Sequence, residues 1–517
     1  MVKCVIPISI QGGFFMKKLF VTVLLISIFS LFVFGADEAV VAMNGDAATL
    51  YPADMTDNYS EQVCRHIYEG LVEFDGEMNV VPALAESWDI AADGMTYTFY
   101  LQEDVKFQDG MPFNAEAVKL HFDKLLAGDL RRSSLFVPFV ESVKVVDDYT
   151  VKFNMKTPFG PFLNHLAHGA GLIVSPGILE NFPKEEISNF PVGTGPYEFV
   201  EWSKGDHIQL KAYDRYWQGE PKLDGINFKI VPEANTRVLM LESGDSDVSD
   251  MIEPINVPRL EGKKGVDIVV TPSLTVRYVG FNMTKPPFDN KLVRQAANYA
   301  IDKKGMAEAL FRGYANPAKS VIAPKVNGYY ETQGYPYNPE KAKELLAGAG
   351  YPDGFKTTLF AAPHYKKIAV IVQSQLKAVG IDAKIDVLEW ASYMDLLYSN
   401  SPAESEHTMY VIGWSPSTGD ADWVVRPLFD SDNWPPNGDN HVGMANDRVD
   451  ELLKKEMTTF DPDERQEYLT ELQKLLVEQA PWIFLYVQDE LVGVNTDLKD
   501  VMVLPLGVTV LKYAYFE

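Results

Sequence analysis

Apolar residues recur along this chain at two periods, and their order predicts a mixed architecture. Behind Asn114 as N-cap, Val118, Phe122 and Leu125 share one face of a helix over 115–127, with Gly128 as its stop. Asn338-Pro339-Glu340 opens a second helix that carries Leu345 and Leu346 inward and ends at Gly350. Asp461-Pro462-Asp463-Glu464 has the form of a capping box, with Leu469, Leu472 and Leu476 as the buried stripe behind it. Residues 95–101, 144–155 and 209–212 alternate instead at period two, with turn signals between them, and predict antiparallel strands. One stretch combines both periods. Residues 357–362 read as a strand, Ile368, Val372, Leu376 and Val379 follow at helical spacing, Gly380 breaks the helix, and Ala383, Ile385 and Val387 alternate. Strand, helix, strand in so short a span is a βαβ crossover and requires parallel strands in one sheet. The expected fold class is α/β, in mixed lobes rather than one barrel. Repeats, low-complexity tracts and Ser/Gly linkers are missing, so short crossings must join the lobes.

The start of the chain has a different pattern. Met16-Lys17-Lys18 precedes an apolar run over 19–34 that ends in Val-Phe-Gly-Ala at 33–36. A basic start, a short apolar core and small residues at the cut describe a secretory signal peptide, with cleavage after Gly35. The run is too short for a good membrane span, and no other stretch qualifies. Residues 1–35 are thus expected to be an upstream extension and signal peptide, with Met16 as the translated start. The cut has no Cys beside it, which argues against a lipid anchor. The mature chain is expected free in an extracytoplasmic space, a periplasm between two membranes. Cleavage removes Cys4 and leaves Cys64 alone, so no intramolecular disulfide can form and the core must supply the stability. Cys64 falls within 61–70, an amphipathic helix pattern, where a buried structural thiol is expected.

Charge narrows the partners. The chain of 517 residues has 72 acidic and 46 basic side chains, a formal charge of −26, and cleavage removes three lysines and no acid. Such a balance excludes a nucleic-acid binder and adhesion to anionic lipid, since both need clustered positive charge. Catalytic signatures are also missing: no G-x-S-x-G elbow, Walker A loop, H-E-x-x-H or C-x-x-C occurs. Gly193-Thr-Gly195 is a bare G-x-G with Pro196 behind it, a turn rather than a dinucleotide loop. His165-x-x-His168 could present two metal ligands on a helix face, but no Cys, Asp or Glu stands at a completing spacing, so packing histidines are favoured. Asp245/Asp247 and Asp420/Asp422 lie in Gly-containing turns, where Asp bonds backbone. No metal, cofactor or catalytic residue is expected, and the chain does not read as an enzyme.

Several long motifs then appear in one order: Val81-Pro-Ala-Leu-Ala-Glu-Ser-Trp88, Phe107-Gln-Asp-Gly-Met-Pro-Phe-Asn-Ala-Glu-Ala-Val-Lys119, Val192-Gly-Thr-Gly-Pro-Tyr197, Tyr216-Trp217, Phe281-Asn-Met-Thr284, Pro287-Phe-Asp-Asn-Lys-Leu-Val-Arg-Gln-Ala296 and Ala480-Pro-Trp482. By these the chain resembles the family 5 extracellular solute-binding proteins, receptors of peptide and nickel ABC importers, over essentially all its length after the signal. The resemblance implies a two-lobed periplasmic-binding-protein fold (class II-like, cluster C) with an extra N-terminal subdomain. Lobe I would span 36–272, including a subdomain at about 73–185. Lobe II would span 273–487, and 488–517 would return to lobe I. Crossings near Pro272 and Gln488 would form a hinge. The partners implied are a small peptide ligand, an ABC permease heterodimer and cytoplasmic ATPase subunits, with the receptor a monomer.

Within the family the pattern is most similar to glutathione receptors. The stretch that points there is Tyr410-Val-Ile-Gly-Trp-Ser-Pro-Ser-Thr-Gly-Asp-Ala-Asp-Trp423 with Pro427-Leu-Phe429 and Ser431-Asp-Asn-Trp-Pro-Pro436. Dipeptide and oligopeptide receptors carry an Asp three residues after the Trp of this loop, paired with the peptide's α-ammonium; here the position is Ser417, and a neutral hydroxyl cannot match that bond. Glutathione, with two carboxylates and one ammonium on a γ-linked arm, fits the change but needs a local cation. Arg277 matches the glutathione-receptor pattern and suits a carboxylate, with a surface or inter-strand salt bridge as the rival. Arg131 and Arg132 are weaker candidates, explained by surface solvation. The cleft wall is expected from Thr56, Asp57, Asn58 and Tyr59, from Arg277 and Tyr278, from Trp390, and from Trp414, Ser415, Ser417 and Thr418. Core packing competes for the Trp residues, and backbone capping for Ser and Thr. Rival cargoes are an oligopeptide, nickel chelate, haem or oligosaccharide; rival functions are a peptide hydrolase or a chaperone-like peptide holder.

Overall fold

The structure is a computed structural model that describes residues 37–517, and the signal-peptide reading of 1–35 lies outside the described residues. The local signals became elements where their chemistry is complete. Asn114 caps the helix Ala115–Leu126 by accepting from the Ala117 amide at 3.0 Å, and Gly128 follows at φ +87°. Asn338 caps Pro339–Gly348 in the same way. Asp461 caps Pro462–Gln479 through the Glu464 amide, but Glu464 takes a hydrogen bond from the Tyr468 hydroxyl and does not reach back, so the box is half used. The expected crossover is present: strand Phe355–Ala361 and strand Ile381–Val387 pair in parallel around the helix Lys366–Lys377.

One twisted sheet runs through both lobes. Its backbone is a pair of long antiparallel strands, Val266–Phe281 and Trp482–Asn495. Beside residues 489–495 the sheet continues through Val248–Ser249, Glu38–Met43, Gly225–Ile230, His207–Ala212 and Tyr197–Ser203. Beside residues 276–281 it continues the other way, through Met409–Trp414, Phe355–Ala361 and Ile381–Val387. Between the halves the ladder breaks: Pro272 pairs with Asp489, Val276 pairs with Val487, and the residues between are out of register. Each lobe therefore owns half of the sheet, and only two strands carry the chain across.

A separate four-stranded antiparallel sheet stands on the first lobe, in the order Ala85–Ile90, Thr96–Leu101, Thr150–Met155, Val140–Asp147, backed by Ala115–Leu126. The chain that returns from it to the first lobe packs by close backbone approach. A Cβ on Gly193 would lie 2.3 Å from the Ile67 carbonyl oxygen, and one on Gly195 would lie 2.7 Å from the His66 carbonyl oxygen, so the bare G-x-G is packing and the strand Tyr197–Ser203 follows it. The far side of this subdomain meets the second lobe: the Gly160 amide donates to the Met457 carbonyl at 2.8 Å, Arg426 lies over the Phe139 ring, and Glu77 pairs with Lys325. The buried core is continuous through all three bodies. Cys64 is fully buried on the helix Asn58–Ile67, and burial pushes its thiol well above the ordinary range, as an inert structural thiol requires.

Candidate functional site

The loop Trp414–Asp422 leaves the strand Met409–Trp414 of the second lobe and reaches the subdomain, where the Asn164 amide donates to the Thr418 carbonyl. Its back is held by ions. Arg465 donates to both oxygens of Asp420, at 2.9 and 2.6 Å, and to Glu456 at 2.9 Å; Arg426 donates to both oxygens of Asp422, at 2.8 and 2.7 Å. Asp420, Asp422 and Glu456 are fully buried. Burial by itself would lower Arg465, but Asp420 and Glu456 hold its pKa above the usual arginine value, and burial raises Glu456. The Asp420/Asp422 pair is thus structural, through ion pairs rather than the backbone turns expected of it, although Asp420 does accept from the Asp422 amide. Asp245 and Asp247 also bond within the fold, to the Ser243 hydroxyl and to the Val40 amide and Asn495.

The front of the loop carries the expected residues. Trp414 is half-buried and donates its indole N–H to the Trp423 carbonyl at 2.7 Å, which fixes the ring. Ser415 is exposed and Ser417 half-buried. Thr418 is fully buried; its carbonyl accepts from Asn164 of the subdomain at 3.2 Å, and its hydroxyl has no partner.

Arg277 sits one strand away in a built cradle. In the ladder it faces Gly413 on one side and Tyr486 on the other. A Cβ on Gly413 would fall 2.6 Å from the Arg277 Nη1, so the guanidinium crosses the sheet only because residue 413 has no side chain. Nη1 donates to the Tyr365 hydroxyl at 2.6 Å, and the guanidinium lies 4.8 Å from the Tyr365 ring centroid. No carboxylate lies within ion-pairing distance among the described residues, so the salt-bridge rival is not what the geometry shows.

Other expected residues are placed differently. Tyr278 is 1% exposed and stacks on Trp482 with centroids 3.7 Å apart, which puts it in the core and not on a cleft wall. The reason is strand alternation: Arg277 takes one face of the sheet and its neighbour must take the other. Trp390 begins the helix Trp390–Tyr398 rather than ending a strand, stays 47% exposed, and lies 5.4 Å from the His364 ring, which in turn neighbours Tyr365. Asp57 is the N-cap of Asn58–Ile67 and spends both oxygens on Ser60, at 2.8 Å each, so its carboxylate serves the fold. Asn58 donates to the Leu506 carbonyl at 2.6 Å, and the Tyr59 hydroxyl accepts from Asn44. Thr56 is exposed. Arg131 is exposed as solvation predicts, whereas Arg132 is half-buried against Met55.

His165 and His168 are both buried in the subdomain, and His165 is on the face that meets the segment after the loop. His165 Nδ1 bonds the Leu135 carbonyl, and its ring lies 5.5 Å from Trp423. No group of three or more metal-ligating side chains occurs among the described residues. A groove of about 440 Å³ also opens between subdomain and second lobe, where Asn164, Arg465 and Gln466 line it. Its one cation, Arg465, is already neutralised by two carboxylates, so the groove is poorly equipped for an anion.

A mixed sheet in two lobes, bridged by two strands and faced by a polar loop, defines a solute-binding receptor. The chain belongs to the bacterial extracellular solute-binding proteins, family 5, whose model matches residues 79–436. It is 38% identical over 478 residues to the glutathione-binding protein GsiB of Escherichia coli strain K12, covering 91% of this chain and 93% of that one. Among solved structures it is similar to HbpA2 from Haemophilus parasuis, with a TM-score of 0.85 at 28% identity, covering 93% of this chain and all of the other. It is also similar to the periplasmic binding protein DppA of Helicobacter pylori in complex with the peptide STSA, with a TM-score of 0.77 at 30% identity, covering 94% and 98%. This family provides the substrate-binding component of ABC importers, and no helix among the described residues is long and apolar enough to cross a membrane.

Proposed function

We propose that this receptor captures glutathione or a related γ-glutamyl peptide in the periplasm, as a monomer, and delivers it to an ABC permease. The observation that carries the reading is Arg277: a guanidinium oriented by Tyr365, given room by Gly413 and left without a carboxylate partner, in a chain whose 38% identical relative is named for glutathione binding. A cation held ready and unpaired is suited to a ligand carboxylate. Ser417, in place of the Asp expected of dipeptide receptors, removes the seat for an α-ammonium and supports a γ-linked cargo.

Capture works by lobe closure. We place the hinge near Pro272 and Gln488, the crossings that the family resemblance implies, and the break in the ladder between Pro272 and Val276 supports it. Two strands flex at small cost there, and the ligand stabilises the closed form because its polar groups replace the water that closure expels. Trp414 covers the ligand with its ring, while Ser415 and Ser417 offer hydroxyls.

The test is calorimetry on protein stripped of carried-over ligand. Saturable binding of glutathione without binding of dialanine supports the reading; binding of dialanine alone, or of an oligosaccharide alone, removes it.

A further inference from the structure

We infer that Glu490 receives the ammonium of the ligand while Arg277 receives a carboxylate, so that the solute lies along the strand Trp482–Asn495 from one lobe to the other. The inference rests on the glutathione reading and supplies a partner that reading lacks. With Ser417 in place of an acid, the acids left in the loop are Asp420 and Asp422, and both are spent on arginines. The ligand's charged amine therefore needs a carboxylate from elsewhere in the fold.

The strand puts both groups on one face. In the ladder Arg277 lies opposite Tyr486, and Thr271 lies opposite Glu490. Residues paired across a ladder share a face, and alternation sends 486, 488 and 490 to that same side. Burial follows the alternation: Val487 and Asp489 are buried, whereas Gln488 is exposed and Glu490 half-buried. Four residues at about 3.3 Å each set Glu490 roughly 13 Å along the strand from Tyr486. A tripeptide spans roughly 10 Å when extended, and a γ-linkage adds two chain atoms to that. With the reach of the two side chains, its terminal charges can meet both groups.

Glu490 is an acid without a cation. Among the described residues no hydrogen bond or ion pair reaches its carboxylate, and neither oxygen is fully enclosed. It stands beside the turn at Gly507, where an added Cβ would lie 3.4 Å from the Glu490 Cδ, 3.5 Å from its Oε2 and 3.7 Å from the Asn58 Nδ2. The carboxylate is thus next to Asn58, a residue expected on the cleft wall. The charges around it have its own sign: burial, then the carboxylates of Asp250 and Asp489, push its pKa up to about 7. Asp250 is already satisfied by Gln62 at 2.7 Å and Thr509 at 3.0 Å. Arg237, which bears on Asp250, spends its donors on four backbone carbonyls and Asn44. An ammonium completes this surrounding, because it donates a charge-assisted hydrogen bond and offsets the repulsion. A metal ion does not fit, since no three ligating side chains converge among the described residues.

The experiment is titration calorimetry of the wild type and Glu490→Gln with two probes: glutathione, and deamino-glutathione (glutaryl-cysteinyl-glycine), which lacks only the ammonium. Wild type should bind glutathione roughly 10- to 100-fold more tightly than the deamino compound. Glu490→Gln should weaken glutathione by a similar factor and bind the two compounds nearly equally, a coupling that a merely structural role would not produce. Wild type that binds both within about two-fold, or Glu490→Gln that keeps the wild-type preference, overturns the seat and leaves the glutathione reading standing. Wild type that ignores glutathione overturns the cargo reading and the seat with it. Should a melting curve show Glu490→Gln unfolded, Glu490→Ala takes its place in the same comparison, with the same outcomes.

Discussion

The arginines around the loop Trp414–Asp422 are used in opposite ways. Behind it, Arg465 and Arg426 are spent on Asp420, Glu456 and Asp422, carboxylates with no exposure at all. One strand away, Arg277 is anchored by the Tyr365 hydroxyl, with no carboxylate within ion-pairing distance among the described residues. The first pair fixes the loop's shape, because removing either partner would strand a charge in the core. Arg277 is held in position by a neutral group that leaves its charge without a paired carboxylate. In a chain of net charge −26, a half-buried cation without an ion-paired carboxylate is a costly arrangement to maintain without a ligand to complete it.

The contrast can be broken most forcefully from behind. Asp420→Asn leaves Arg465 with Glu456 alone and should cost about 3–5 kcal/mol of unfolding free energy; a urea melt within error of wild type would show that the ions behind the loop are dispensable. Acid attacks the same region through His165. Burial holds its pKa at about 4 against 6.5 in the unfolded chain, while Asp422 and the Leu135 carbonyl pull weakly the other way. A depressed histidine contributes stability above the unfolded value and loses it as pH falls from about 6.5 toward 4, a loss on the order of 3 kcal/mol at full titration. Melts across that window should show the decline, and His165→Gln, which keeps a donor toward Leu135, should make it shallower. In front of the loop the effects fall on binding. Arg277→Gln should leave the melting temperature nearly unchanged and weaken glutathione by about 2 kcal/mol in calorimetry; a large loss of stability with intact affinity would move Arg277 into the first pair. The smallest change is Gly413→Ala. Its methyl would press on the Arg277 Nη1, so affinity should fall by about 1 kcal/mol with the charge still present, and unchanged binding would mean that the guanidinium has other room.

Local chemistry explains how much was legible. Asn114, Asn338 and Asp461 cap helices because the bond they make spans only three residues, and the crossover at 355–387 follows from a change of period within one segment. The family motifs were legible for the same reason, being contiguous. The loop Trp414–Thr418 and the cation at Arg277 also stood out, since their residue types depart from a known pattern at fixed positions. Tyr278 was misplaced because two neighbours on a strand were read as one wall, while a strand sends them to opposite faces.

What remained belongs to distance in space. Arg131 and Arg132 are indistinguishable as adjacent letters, yet one is solvated and the other is pinned to the Met55 carbonyl. Gly413 matters only because Arg277 comes to lie across it, more than a hundred residues away in the chain. The amino-acid order by itself determined the caps, the crossover and the family. Which charges are balanced and which are left open was decided by the tertiary structure alone, because the partner of a side chain is chosen by packing between segments that the order of residues does not bring together.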